Sequence, residues 1–292
     1  MLFSLTSCLS FRNENESDIV PTSEITDIPQ DTEKTVDSTT EADVSSPALS
    51  ETVSDTLPQT ECVPETTEMV QSVIAPVGSY RPNVLMYHLI REEPYGIYEN
   101  LFVRPSEFET HLSVLDELGY EYIFADEWHV TSKPSVVITL DDGYVDNYTD
   151  MFPILKAHNA KATIFMVSDF IGTEGYLNEA MIKEMSDSGL VSIQCHTSHH
   201  LDLAYQTEEW LRSDFDEAVS RITSITGKPV RAIAYPAGSY NDLVLSVASD
   251  YFDFAFTTES PFNVSEYTDL TIPRYYISRG YGRDTFMNFV AY

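Results

Sequence analysis

The sequence has few basic residues, few cysteines and no long apolar run. Its 292 residues include 16 Lys and Arg against 47 Asp and Glu, which gives a net charge of -31. Binding to DNA or RNA depends on Lys and Arg that neutralise phosphates, so this charge argues against a nucleic-acid partner. Three cysteines cannot build a disulfide framework. No segment approaches the roughly 20 consecutive apolar residues that cross a bilayer.

Aromatic residues are nearly missing from the first 80 positions. Only Phe3, Phe11 and Tyr80 occur there, beside 15 acidic and 2 basic residues, whereas residues 81–292 hold the other 32 of the 35 aromatics. The first part is rich in Ser, Thr, Glu, Asp and Pro, and it cannot bury enough apolar surface to offset the entropy of ordering. We therefore predict a disordered acidic tether over residues 9–80 and one domain over residues 81–292.

The first eight residues resemble the end of a lipoprotein signal. Residues 5–8 read Leu-Thr-Ser-Cys, as in a lipobox whose cysteine receives a diacylglyceryl group. A secretory signal also needs a basic start and about 7–15 apolar residues, and this start has neither. Because the tether would suit a spacer, we predict a signal remnant over residues 1–8, a lipid anchor on Cys8 as the membrane link, and an extracytoplasmic location, anchored or secreted. The alternative is a chance cysteine near a flexible end.

From residue 83 onward, short apolar runs alternate with amphipathic segments. This pattern is typical of a parallel sheet with crossover helices. Phe108, Leu112 and Leu115 recur at helical spacing and mark one buried face. With at least six strand–helix units, a (β/α) barrel, regular or distorted, is the economical closure. The predicted strands are 84–87, 120–125, 136–140, 162–167, 191–195 and 230–234, and the predicted helices are 105–118 with Ser106 as N-cap, 150–158, 179–188 and 207–226.

Polar residues follow four of the predicted strands, where ligands bind in parallel sheets and barrels. They are His88, the run 141–143, the run 196–200 and the run 235–238.

Asp141 and Asp142 are adjacent at a strand end, so their side chains would point in different directions. One could bind a metal ion while its neighbour faces a substrate. The structural alternative is an acidic turn closed by Gly143. An EF-hand calcium loop fits poorly, because the alternating acidic positions and the closing Glu are missing.

His196 and His200 are four residues apart. One helical turn after the strand would bring both rings to the same side. Two imidazoles and one carboxylate are a common ligand set for zinc or another divalent metal, with positions left for water and substrate. His199 would point elsewhere or replace His200.

Three ordered motifs resemble those of the polysaccharide deacetylase family, the NodB-type carbohydrate esterases, over about residues 82–283. Residues 139–143 match Thr-Phe-Asp-Asp-Gly with Leu in place of Phe, residues 196–200 match the histidine motif, and residues 231–238 match Arg-x-x-x-Tyr-Pro-x-Gly. The opening Tyr-His at 87–88 resembles exopolysaccharide poly-N-acetylglucosamine deacetylases. The resemblance implies a distorted (β/α) barrel of the NodB type.

The resemblance also implies roles for single residues. Asp142, His196 and His200 would hold a divalent metal, zinc first, with cobalt, nickel and manganese as alternatives. The general base would be Asp141. By the same resemblance, Arg231 would keep Asp141 ionised, and the backbone N–H of Tyr235 would stabilise the oxyanion.

The sequence departs from the family at the general acid. Many members supply it from a histidine in a late Leu-x-His motif, and no histidine follows His200. We propose His88 as the substitute, the alternative being a structural histidine in the pocket. A further family motif, whose aspartate tunes the acid, would fall near Asp269 and Arg274.

The substrate-binding candidates are Tyr144, Pro236 and Tyr240. The two tyrosines could stack on sugar rings, and the alternative for them is rim or core packing. An acidic surface would favour neutral or cationic polymers, such as a partly deacetylated glucosamine polymer.

The expected activity is metal-dependent removal of N-acetyl groups from an N-acetylglucosamine-containing polysaccharide. Two alternatives stay open. The first is an esterase that removes O-acetyl groups, as from xylan, where the easier leaving group makes a missing acid less important. The second is a catalytically silent carbohydrate-binding surface lipoprotein.

Overall fold

The computed structural model describes residues 80–93, 101–264 and 266–291. The predicted signal remnant, Cys8 and the predicted tether up to residue 79 lie outside these residues. Within the described part of the chain, no helix combines the length and the apolar character that a bilayer crossing requires.

Strands and helices alternate along the described residues, as the sequence predicts. The strands are β1 (Asn83–Tyr87), β2 (Leu89–Ile90), β3 (Phe102–Val103), β4 (Glu121–Tyr122), β5 (Ser135–Asp142), β6 (Ala162–Met166), β7 (Val191–Cys195), β8 (Ala232–Ala234), β9 (Phe254–Phe256) and β10 (Tyr275–Tyr276). The helices are α1 (Pro105–Glu117), α2 (Phe152–His158), α3 (Glu179–Asp187), α4 (Glu208–Thr226), α5 (Asp242–Ala248) and α6 (Arg283–Val290).

The main sheet forms the wall of a distorted (β/α) barrel, which confirms the predicted fold. Its strands are parallel and follow the order β10-β1-β5-β6-β7-β8-β9, with β4 beside the start of β5. A parallel bridge joins Phe256 of β9 to Ile272, a short distance before β10. The segment from Ile272 to β10 therefore connects the two ends of the strand order. Strands β2 and β3 form a separate parallel pair.

Every residue of β5 is buried, because this strand is covered on both faces. Successive side chains alternate between two cores. Ile138 and Leu140 pack in the large cluster that the helices cover, whereas Val137 packs with Phe165 and Phe256 in a smaller cluster inside the barrel. Asp141 has the same parity as Val137, so it extends the inner row toward the carboxyl end of the barrel.

Several predicted element boundaries differ from those of the structure. Helix α1 takes Arg104 as its N-cap, not Ser106, because Pro105 occupies the first helical turn, where its fixed φ fits and its missing N–H is not needed. The predicted strand 120–125 shrinks to β4, since the chain then enters a short 3-10 turn at Ala125–Glu127. The predicted helix 150–158 begins at Phe152 instead, because a π-helical turn at Asn147–Met151 precedes α2.

Helix α4 begins and ends close to the predicted positions. The Thr207 side chain accepts a hydrogen bond from the Trp210 N–H, 3.3 Å away, and so satisfies one unpaired donor of the first turn. The helix ends at Gly227, whose φ of 70° suits glycine best.

Candidate active site

Two buried aspartates end β5 and point in different directions. Asp141 follows the inner row of the barrel, whereas the backbone of Asp142 turns to a φ of 71°. The next residue, Gly143, has a φ of 78°, and a Cβ at this position would lie 2.1 Å from the Met166 sulfur of β6. The positive φ of this turn and the close approach of the buried Met166 side chain therefore both favour glycine at this position.

Asp142, His196 and His200 converge on one point. The Asp142 Oδ1 lies 3.4 Å from the Nε2 atom of His196 and 3.4 Å from the Nε2 atom of His200. The three donor atoms all lie within 4.8 Å of one another. Ligands bound to tetrahedral zinc at about 2.0–2.1 Å are separated by about 3.4 Å, so the spacing fits a divalent cation of this kind.

The contacts of His196 leave its Nε2 atom free to act as a ligand. The ring is buried at the end of β7, and Nδ1 donates a hydrogen bond to the carbonyl oxygen of Ala234, 2.7 Å away. A carbonyl partner on Nδ1 fixes the ring orientation and the tautomer whose Nε2 carries the lone pair. Burial opposes the ionisation of Asp142, but the two histidines hold its pKa well below the ordinary value.

His200 reaches the cluster through a tight turn. The prediction of a helical turn after β7 is wrong, since residues 196–200 form no helix. Thr197 and His200 have φ angles of 71° and 56°, and the N–H of His200 donates to Thr197 Oγ1 over 2.9 Å. His199 points away from the cluster and donates from Nδ1 to Asp214 Oδ1, 2.7 Å away.

A buried arginine binds Asp141. Arg274 donates from Nη1 to Asp141 Oδ1 at 2.7 Å and from Nη2 to Oδ2 at 2.8 Å. The guanidinium also donates to the Thr139 hydroxyl and to the Thr257 carbonyl. Burial acts to raise the pKa of Asp141, but the charge of Arg274, followed by that of His196, lowers it below the ordinary value. The carboxylate is thus kept ionised and fixed in orientation.

These groups line one cavity of about 290 Å³ at the carboxyl ends of the strands. Tyr144 and Tyr176 stack on one wall with 5.0 Å between ring centroids, and Phe170 packs against Tyr176. Burial, followed by the nearby Asp142, raises the pKa of Tyr144. The residues that line the cavity are His88, Leu101, Asp141, Asp142, Tyr144, Phe170, Tyr176, His196, His200, Ala237 and Thr258.

Comparisons with known proteins point to one family. The sequence model described as Polysaccharide deacetylase matches residues 129–251. YxkH of Bacillus subtilis, which is named for this family, is 36% identical over 184 residues, covering 60% of this chain and 64% of that protein. The solved structure of BC0361, a polysaccharide deacetylase from Bacillus cereus, has 30% identity and a TM-score of 0.67, covering 72% of this chain and 69% of that one.

The chain belongs to the polysaccharide deacetylase family. Another relative is the poly-beta-1,6-N-acetyl-D-glucosamine N-deacetylase of Staphylococcus aureus, which is 28% identical over 200 residues, covering 62% of this chain and 69% of that enzyme. The chain spans just under two thirds of the length of YxkH.

The arginine that binds Asp141 is not the predicted one. Arg231 precedes β8, its side chain is 53% exposed, and its Nε donates to Asp253. Arg231 therefore lies at the amino ends of the parallel strands, whereas Asp141 lies at their carboxyl ends. Arg274 fills the predicted role because it precedes β10, on the closing segment of the barrel.

The predicted oxyanion donor also needs correction. The N–H of Tyr235 donates to the Phe256 carbonyl over 3.0 Å, within the pairing of β8 and β9, and its hydroxyl contacts the Leu270 carbonyl. Ala237 lines the cavity and has a φ of 52°. The N–H of Tyr235 is thus already paired, whereas Ala237 is the residue of this segment that lines the cavity.

The other candidates divide between the cavity wall and the packing behind it. Tyr144 lines the cavity, and its role in substrate binding stays a prediction. Pro236 is buried, and Tyr240 stacks on Tyr235 with 5.4 Å between ring centroids. Neither belongs to the described residues that form the wall.

His88 lies on the cavity wall beside the proposed base. Its Nε2 is 4.0 Å from Asp141 Oδ2, and its ring packs edge-on against Tyr276. Burial lowers the pKa of His88, although the charges of Asp141 and Asp142 act in the opposite direction.

Sequence reasoning missed Arg274 as the partner of Asp141 and Ala237 as part of the cavity wall. The sequence gives one indication for Arg274, because it falls near a further family motif, but nothing local in the sequence tells which arginine reaches Asp141. The side chain of Ala237 gives no indication of a place in the site.

Proposed function

We propose that this protein is a metal-dependent hydrolase that removes N-acetyl groups from N-acetylglucosamine-containing polysaccharide. The observation that carries the proposal is the cluster of Asp142, His196 and His200 at ligand spacing, next to an arginine-bound Asp141 in the same cavity. The name of the Staphylococcus aureus relative supports a poly-N-acetylglucosamine substrate.

Asp142, His196 and His200 would hold the cation, with zinc first and cobalt, nickel or manganese as alternatives. When bound, such a cation supplies a Lewis acid that polarises the acetyl carbonyl and lowers the pKa of a water molecule. All three side chains line the cavity, so a cation that they hold would be accessible from it.

Asp141 would accept the proton of the attacking water. The buried Arg274 donates a hydrogen bond to each carboxylate oxygen of Asp141 and keeps the group ionised before the reaction. The lone pairs that do not face Arg274 can accept this proton, because each carboxylate oxygen has two acceptor sites. Proton transfer of this kind contributes about 10²–10⁴-fold to a rate.

Two further groups complete the proposed chemistry. The N–H of Ala237 would donate to the acetyl oxygen as negative charge develops there. His88 would protonate the departing amine, which needs a proton because an amide anion leaves poorly. The support for His88 is its place on the wall beside Asp141.

The apolar wall of Tyr144, Tyr176 and Phe170 would contact the ring of the sugar that carries the acetyl group. Carbohydrate rings present C–H groups on their faces, and stacked tyrosines offer a flat surface with hydroxyl groups at its edge. The wall lies beside the ligand cluster, since Tyr144 comes two residues after Asp142.

Acetate release from two substrates tests the proposal. We expect release from an N-acetylglucosamine oligomer to exceed release from acetylated xylan, to stop with a chelator and to return with zinc. We expect Asp141→Asn to lower the rate about 10²–10⁴-fold while zinc binding remains. Faster release from acetylated xylan would favour the O-acetyl esterase. If the wild type and Asp141→Asn bind glycan equally and neither releases acetate, the silent binding protein is favoured.

We also propose that the protein works outside the cytoplasm as a lipid-anchored or secreted protein. The support is the Leu-Thr-Ser-Cys sequence at residues 5–8 and the acidic composition that follows. Labelling cells with a radioactive fatty acid tests the anchor. The label should appear on the wild type and be lost in Cys8→Ser, and a label that survives this change would contradict the anchor.

A further inference from the structure

The turn that brings His200 to the ligand cluster has an unfavourable backbone conformation. Thr197 and His200 both adopt left-handed φ angles, 71° and 56°. Among residues other than glycine, Asn, Asp and His adopt this region most readily, whereas a β-branched residue such as Thr197 is strongly disfavoured there. Such a conformation persists only where the surroundings hold it.

A buried carboxylate lies directly behind this turn. Asp214, on α4, is 2% exposed. Its Oδ2 accepts a hydrogen bond from the Ser198 N–H at 2.9 Å, and its Oδ1 accepts from the His199 N–H at 3.2 Å and from His199 Nδ1 at 2.7 Å. Asp214 thus accepts hydrogen bonds from the two backbone N–H groups that lie between the left-handed residues Thr197 and His200.

The opposite side of the turn is held by the chain after β6. The carbonyls of Thr197 and Ser198 accept hydrogen bonds from the N–H groups of Ser168 and Asp169. The side chain of Asp169 contacts the Ser198 hydroxyl at 3.2 Å and lies 3.6 Å from His199 Nε2. Asp214 therefore satisfies the N–H groups of the turn, whereas residues 168 and 169 satisfy its carbonyl groups.

We propose that Asp214 is a positioning residue that sets the approach of His200 to the cation site. It touches no ligand atom and acts through the backbone of Ser198 and His199. Burial of an ionised carboxylate is costly unless several donors pair with it, and here three donors from the turn supply that pairing. This inference rests on the metal site of the proposed function and adds a residue to it from α4, outside the sequence motifs.

Zinc titration of the metal-free full-length protein tests the proposal. The comparison is between wild type, Asp214→Asn, His199→Ala and Asp169→Asn, with dissociation constants from calorimetry or a competing chelator. Asp214→Asn keeps the shape but replaces one acceptor oxygen by a donor that faces a backbone N–H. We expect about 10–100-fold weaker zinc binding, the usual loss when a group that orients ligands is removed.

The two other variants are matched controls. His199→Ala removes the side-chain hydrogen bond to Asp214 but keeps the two hydrogen bonds that Asp214 accepts from backbone N–H groups. Asp169→Asn changes a carboxylate that contacts the side chains of Ser198 and His199 but not the backbone of the turn. We expect both to bind zinc within about threefold of the wild type. A loss in His199→Ala as large as that in Asp214→Asn would overturn the backbone mechanism.

The thermal midpoint and circular dichroism of each metal-free variant separate positioning from folding. A merely structural role would lower the midpoint of Asp214→Asn and leave zinc affinity unchanged, which would overturn the proposal. If Asp214→Asn does not fold, Asp214→Glu keeps the charge but moves it by one methylene, and we expect the same loss of affinity.

The wild type distinguishes this inference from the proposed function. Zinc uptake without acetate release from the oligomer would overturn the deacetylase activity and leave the role of Asp214 intact. No zinc uptake by the wild type would overturn the metal site and this inference together.

Discussion

Arg274 is the residue on which the chemistry of Asp141 depends. Its guanidinium is fully buried and forms two hydrogen bonds with the carboxylate. Removal of one partner of such a pair leaves an uncompensated buried charge. We therefore expect Arg274→Ala to lose acetate release and about 3–5 kcal/mol of unfolding free energy, measured by denaturant titration.

Arg231→Ala is the matched control for Arg274→Ala. Its side chain is exposed, and its ion pair with Asp253 is of the surface type that contributes little. We expect wild-type acetate release and wild-type stability. A loss of activity in Arg231→Ala that equals the loss in Arg274→Ala would restore the original assignment of the arginine.

Asp146 gives the stability of the domain a pH dependence. Burial raises the pKa of this carboxyl to about 7, against hydrogen bonding from the Ile90 N–H, whereas an unfolded aspartate titrates near about 3.9. Between about pH 4 and 7 the folded state binds more protons than the unfolded state, so stability falls as the pH rises through this window and levels off above it.

An Asp146→Asn variant removes this titration. We expect the unfolding free energy of the variant, relative to that of the wild type, to increase by about 3–4 kcal/mol between pH 4 and pH 8, because the variant has no carboxyl to ionise. Thermal or denaturant unfolding at four pH values measures the difference. A difference that stays constant across this range would show that Asp146 titrates normally.

At the scale of residues, sequence reasoning found the groups that carry chemistry in their side chains. Asp141, Asp142, His196 and His200 follow strands of a parallel sheet, and the ends of such strands meet in space whatever the details of the loops. The prediction of a helical turn from His196 to His200 was wrong. Nothing local in the sequence shows that the buried Asp214 accepts hydrogen bonds from this turn, which contains residues with left-handed φ angles.

The turn after β5 is the element on which the ligand cluster depends. A Cβ on Gly143 would meet the side chain of Met166 at 2.1 Å, and the φ of 78° adds strain for any other residue. We expect Gly143→Ala to displace Asp142, to weaken zinc binding at least tenfold and to destabilise the domain by more than about 2 kcal/mol.

Gly119→Ala isolates the contribution of φ alone. Gly119 has a φ of 72°, but no atom lies within 4 Å of the place where its Cβ would be. We expect a loss of about 1–2 kcal/mol in unfolding free energy and unchanged zinc binding. Equal effects on zinc binding in the two variants would contradict a specific role for the close contact with Met166.

Most elements were predictable because their signals are local. Helix α4 has a capping Thr207 and a terminal Gly227, and β5 contains the apolar run 136–138 that predicts a buried strand. The short β4 and the closure of the barrel at Ile272 were not, because both depend on which distant strand lies alongside. Pairing between distant strands leaves no mark in a window of a few residues.

The whole molecule is strongly acidic, and its charge would act on the proposed substrate. The net charge of -31 includes 32 acidic and 14 basic residues in positions 81–292, and two carboxylates lie in the cavity itself. Removal of acetyl groups leaves ammonium groups on a glucosamine polymer, so a partly processed chain is attracted more strongly than a neutral one.

We therefore expect kcat/KM to be several-fold higher for a partly deacetylated oligomer than for a fully acetylated oligomer of equal length at about 0.01 M ionic strength. The advantage should shrink at about 0.15 M, because the screening length falls from about 30 Å to about 8 Å. An uncharged aryl acetate serves as the control and should show no salt dependence. Equal salt dependence for both oligomers would contradict steering by the acidic surface and leave the difference to direct contacts in the cavity.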